Sequence, residues 1–166
     1  MVINGGYRPS AGFAYLGLLL VIAMIGAALA GAGTLWSAAQ RRDREQELLH
    51  IGHKFREAIG QYYESTPGVV KQYPPTLEAL LRDDRFPRPR RYLRKIYVDP
   101  ISGMSSWGIL EAPSGGVMGV YSLGIGTPYQ QSNFSQDDKA FEGKKYYEEW
   151  IFAYIPNAAM GARQYP

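Results

Sequence analysis

The chain of 166 residues contains no cysteine. Disulfide staples, thiolate nucleophiles and cysteine-based zinc sites are therefore excluded. Histidine is scarce, with His50 and His53 three residues apart in a helical pattern. A metal would need further ligands from a facing helix; none is evident, so both read as ordinary surface or groove residues. Also missing are a nucleophile elbow, a phosphate-cradling glycine loop and a dinucleotide fingerprint. The glycine-rich "PSGGVMG" lies between predicted strands rather than before a helix, so it lacks anion-binding geometry. A Ser–His–Asp arrangement would have to recruit a histidine from the long helix. The expectation is a protein that is not an enzyme, with no cofactor.

Charge is absent between Arg8 and Arg41, a gap of about 30 residues, against about 20 needed to cross a hydrocarbon core as a helix. A removable secretory signal has an apolar region of only about 7–15 residues, so this segment is expected to be retained as a membrane helix. Its first half, Leu16 to Ile25, is rich in Leu, Ile and Val, as lipid-facing residues are. Its second half, "GAALAGAG" from Gly26 to Gly33, is nearly all Gly and Ala. Small residues four apart, Gly26 with Ala30 and Ala27 with Gly31, let two helix backbones approach closely in an apolar medium. Arg41, Arg42 and Arg44 follow the run and Arg8 precedes it. On charge alone, this places the C-terminal part in the cytoplasm.

Beyond Arg41, Leu48, Ile51, Phe55, Ile59 and Tyr62 recur every three or four residues and define one apolar helical face. Glu45, Glu47, Lys54, Arg56 and Glu57 are assigned mostly off that face. Pro67 and Gly68 punctuate the chain, giving one helix of about 50 residues from Phe13 to Tyr63, or about 75 Å. A short helix is expected after Pro74-Pro75, with Thr76 as N-cap and Leu77, Leu80 and Leu81 on one side. "DPISG" at Asp99–Gly103 reads as a turn opening a hairpin. Three runs rich in β-branched and aromatic residues, Ser106–Ala112, Val117–Gly124 and Glu149–Pro156, read as strands. In the last, both faces are expected to be largely covered. The fold class is α+β: a long N-terminal helix, transmembrane in its first half, packed on a small three-stranded antiparallel sheet.

"GFAYLGLLLVIAMIGAAL", from Gly12, resembles the signature shared by type IV pilins and type II secretion pseudopilins. The resemblance implies a leader at 1–12, cleaved by a dedicated prepilin peptidase between Gly12 and Phe13, with N-methylation of Phe13. It implies a transmembrane and assembly helix at 13–39, packing through Gly17, Gly26, Ala30 and Gly31. Residues 40–166 would form a pilin-like periplasmic head that includes the upper half of the helix. The family inserts with its N-terminus in the cytoplasm, which takes precedence here over the charge count. "LEAL", then Tyr92, Leu93, Arg94, Lys95 and "DP..G", resembles the variable region of the major pseudopilin. "YSLG" at Tyr121–Gly124 resembles the stretch before a loop in which relatives often bind calcium. In this chain the loop 125–147 offers Asp137, Asp138 and Glu142, against the six to eight oxygens calcium wants. Lysines 139, 144 and 145 oppose a cation, so calcium stands as a secondary reading.

Two features depart from the family. Many relatives have a Pro near Thr34 that breaks the helix, where this chain offers only Gly31 and Gly33. Gly17 stands at the fifth mature position, where Glu usually pairs with a neighbour's amino terminus, and this points away from an ordinary major subunit, towards a minor or tip subunit. The function implied is a structural subunit of a type II secretion pseudopilus in the bacterial inner membrane. It would be single-pass, with other pseudopilins, the peptidase and an inner-membrane assembly platform as partners. The alternatives are a permanently anchored periplasmic binding module and a DNA-uptake or type IV minor pilin. Arg82, Arg85, Arg88, Arg90, Arg91, Arg94 and Lys95 form a basic cluster, read as a solvated connector, with docking on an acidic neighbour or on anionic headgroups as the alternative. No recognised nucleic-acid-binding motif surrounds it, so nucleic acid is not an expected partner.

Overall fold

The computed structural model describes residues 11–156, with the side chains of 11–14 and 28–38 left out of the description. The expected leader therefore falls outside the described residues up to position 10, as do the side chains of Gly12, Phe13, Ala30 and Gly31. The chain divides into two compact units, Met1–Gln40 and Arg41–Pro166.

In the first unit the backbone is helical from Ala11, the start of α1 (Ala11–Glu64). Its described apolar side chains, Tyr15 through Ala27, are all exposed. Among the described residues no helix is long and apolar enough to cross a membrane.

The second unit is α+β. Its part of α1 buries Leu48, Ile51, Phe55, Ala58, Ile59 and Tyr62, the face that the three-to-four spacing defines. The helix ends at Glu64 with no basic residue of its own in the last turn. Its terminal carbonyls are instead met by cations from later in the chain. Arg85 Nη2 donates to Tyr62 O at 3.1 Å and Lys71 Nζ to Glu64 O at 2.6 Å. Positive charge there complements the negative end of the helix dipole.

Three strands, β1 (Gly108–Glu111), β2 (Val117–Tyr121) and β3 (Phe152–Ala153), form one antiparallel sheet in the order β1-β2-β3. The β1–β2 connection turns on Gly115 and Gly116, both at positive φ (86° and 87°), a conformation in which a side chain would be strained. Phe152 of β3 lies directly on α1. A Cβ placed at Gly52 would stand 2.3 Å from the Phe152 ring. Glycine costs a helix interior about 1 kcal/mol relative to alanine; here it lets the sheet approach the helix backbone. Around this contact sits an aromatic core in which Trp150 and Phe141 stack at 5.6 Å, and Phe55 meets Trp107 at 5.1 Å.

Every strand is shorter than its sequence expectation, for local reasons. β2 stops at Tyr121 because Ser122 turns inward and donates to Asp99 Oδ2 at 2.7 Å. Asp99 is itself buried in the turn it opens, accepting from Ile101 N–H at 2.9 Å. β3 begins late because Trp150 N–H closes a 3₁₀ turn onto Tyr147 O. Its two faces are also unequal: Trp150 and Phe152 are buried whereas Ile151 and Ile155 are exposed, so only one face is covered. The short helix after Pro75 is a single 3₁₀ turn, Leu77–Leu80, in which Thr76 makes no side-chain cap. With three residues per turn, Leu77 and Leu80 align on one edge and both are buried, while Leu81 is only half-buried.

Candidate functional site

Two features stand out: the bare apolar helix of the first unit, and the set of buried carboxylates that ties the loops of the second unit to α1. On the helix, nothing lies within 4 Å of a Cβ built at Gly17 or at Gly26. Both glycines present open backbone, flanked by exposed Leu16, Leu18, Ile22 and Ile25.

In the second unit, Glu45 is 2% exposed. Its Oε1 accepts from the Tyr129 backbone N–H at 2.5 Å and from the Tyr147 hydroxyl at 2.7 Å; its Oε2 accepts from Gln130 N–H at 3.0 Å. The carboxylate holds both ends of the loop 125–147 against the helix. Burial, reinforced by the hydrogen bond to Glu45, pushes the Tyr147 hydroxyl far above its usual range. Sequence reasoning assigned Glu45 mostly off the apolar face, and the structure corrects this. Glu45 lies three residues before Leu48, a spacing that puts it on the same stripe.

Asp138 holds the middle of the same loop. It is buried, its Oδ2 meeting His53 Nε2 at 2.6 Å and the Ser135 hydroxyl at 2.9 Å, and its Oδ1 accepting from Arg56 Nη2 at 3.0 Å. These groups occupy the carboxylate that a calcium site in this loop would use. Asp137 and Glu142 are exposed, and among the described residues no three His, Asp or Glu side chains come together as a metal site. The loop is thus fastened by side chains of α1. His53, read from sequence as an ordinary surface or groove residue, is one of them and is itself exposed, as is His50.

A third clamp sits at the far end of α1. Arg85 grips Asp83 with two bonds of 2.8 Å, reaches Thr66 Oγ1 at 2.8 Å, and lays its guanidinium 3.6 Å from the Tyr62 ring centroid. Burial of Asp83 favours its neutral form. The side-chain and backbone hydrogen bonds of Arg85, with that of the Tyr92 hydroxyl, outweigh this and hold its pKa below the usual carboxylate value.

The basic cluster is therefore not one surface. Arg85 is spent internally, Arg82 pairs with Asp84 at 2.7 Å, and Arg90 covers the Phe86 ring at 4.0 Å. Arg88, Arg91, Arg94 and Lys95 remain exposed.

No known protein-family model matches the chain, and neither a curated protein nor a solved structure matches it significantly. Sequence reasoning singled out Gly17 and Gly26, which the structure places on open helix surface. It missed Glu45, the Asp138 clamp and the Asp83–Arg85 pair. For Glu45 the three-residue spacing was a usable signal. For Asp138, partners 85 and 82 residues away left no local trace, and Asp83 with Arg85 is hidden among neighbouring charges.

Proposed function

We propose that this protein is a structural assembly subunit of the pilin-like class, working in a type II secretion pseudopilus. The observation that carries the reading is the bare apolar stretch Tyr15–Ala27, with open surface at Gly17 and Gly26, in one helix with the residues that build the core of the α+β unit. Apolar side chains left in water are costly; lipid tails can cover them first and the helices of sibling subunits afterwards. Close approach at small residues suits the second covering. In this reading the chain is held in the bacterial inner membrane with its head in the periplasm, and the work is mechanical: filament growth moves cargo towards the outer membrane. Gly17 offers no carboxylate to a neighbour's amino terminus, which fits a minor or tip position. The clamps at Glu45, Asp138 and Asp83 suit a head that must keep its shape under load.

The test is co-expression with a prepilin peptidase, followed by mass spectrometry of the N-terminus. A chain beginning at N-methylated Phe13, and a Gly12→Ala variant that stays unprocessed, are the expected results. A wild-type chain that keeps Met1 beside an active peptidase overturns the reading and favours a permanent anchor.

A further inference from the structure

We propose that Arg41, Arg44 and Ile125 form a patch on the second unit that seats on an anionic lipid surface. The inference rests on the membrane reading above and adds a second point of contact to it.

Ile125 is 100% exposed. It precedes Gly126, whose φ of 136° shapes the tip, and the nearby Leu123 and Tyr129 are also exposed. A single exposed isoleucine is ordinary, but this one shares a cleft of about 280 Å³ with Ile101, Arg41 and Arg44. Arg41 and Arg44 are three apart and so project from one side of the helix. Beside them, Arg42 lies over the Tyr129 ring at 4.4 Å. The acidic side chains nearby offset part of this charge: Glu45 is buried and held by neutral donors of the loop, and Asp43 is the one exposed carboxylate between positions 41 and 45, so three arginines stand against two carboxylates there and the exposed balance is basic.

Cations ringing an apolar tip match the chemistry of a lipid interface. Arginine stems lie along apolar surface while their heads reach phosphate, and an apolar side chain enters the boundary between headgroups and acyl chains. Each basic residue near an anionic membrane surface strengthens attraction about fivefold. Chain continuity favours a bilayer over an acidic protein, because Arg41 directly follows the unit that carries the bare apolar stretch.

The absence of native cysteine allows single-site labelling of the full chain. An environment-sensitive fluorophore is placed at Ile125→Cys or, as control, at Val69→Cys, an exposed site beyond the C-terminal end of α1. The protein is reconstituted into phosphatidylcholine vesicles with or without phosphatidylglycerol, and quenching by neutral acrylamide is measured. With phosphatidylglycerol the label at 125 should be quenched severalfold less, while the label at 69 is unchanged. Arg41→Gln with Arg44→Gln, or high salt on the unsubstituted pair, should return it to water; both arginines are exposed. A label at 125 as open as the one at 69, in protein that floats with the vesicles, overturns the inference alone. Protection that persists without vesicles also overturns it, by pointing to contact with protein. Failure of the membrane reading looks different: the chain separates from the vesicles on flotation, and both inferences fall.

Discussion

The Glu45 carboxylate accepts a hydrogen bond from the Tyr147 hydroxyl at 2.7 Å, across 102 positions of sequence. Two backbone N–H groups of the same loop complete its shell. Glu45→Ala leaves three donors without their acceptor and should lower stability by about 3–5 kcal/mol. Glu45→Gln keeps part of the shell and should cost less. Denaturant melts rank the two variants, and hydrogen exchange should show faster exchange at Tyr129 and Gln130 in Glu45→Ala. Unchanged exchange there would remove the role assigned to Glu45.

Acid should loosen the Asp83 clamp. The folded pKa of Asp83 is depressed, so its contribution is present above the unfolded value of about 3.9 and is lost as pH falls through the folded value. Asp83→Asn should cost about 3 kcal/mol at neutral pH and flatten the acid limb of the stability curve. Melts from pH 7 down to pH 2 check both; parallel limbs for the two proteins would refute the assignment.

Two glycines in one helix should respond oppositely to the same substitution. Gly52→Ala drives a methyl into Phe152 and should destabilise by about 1–3 kcal/mol, despite a helical gain of about 1 kcal/mol. Gly26→Ala meets open space and should leave the melt of the second unit within about 0.5 kcal/mol, while weakening association of the chain in membranes. Thermal melts and crosslinking in vesicles separate the effects.

Calcium should leave the loop 125–147 unmoved. With Asp138 held by Arg56 and His53, neither added calcium nor a chelator should shift the melting temperature. A calcium-dependent rise would show that the clamp opens to admit a cation.

The features that repeat at short range were legible in the chain. The stripe Leu48–Tyr62 gave the buried face of α1, and Gly and Pro marked the ends of the strands to within a few residues. The shortened strands were not legible, because local contacts ended them: Ser122 turning to Asp99 removes residues from β2 that pattern alone assigns to it. The clamps were hidden for a related reason. A charged residue on a protein surface element normally faces solvent; the spacing from Leu48 marks Glu45 as an exception, but the partners that hold it and Asp138 are brought near only by the completed fold. Gly52 was silent as well, since its role is the room it leaves for Phe152.

The last turn of α1 owns no cation and is finished by Lys71 and Arg85, residues that arrive later in the chain. That turn therefore belongs energetically to the loops of the second unit as much as to α1 itself. The helix cannot fray at that end without first releasing the later segments that hold it.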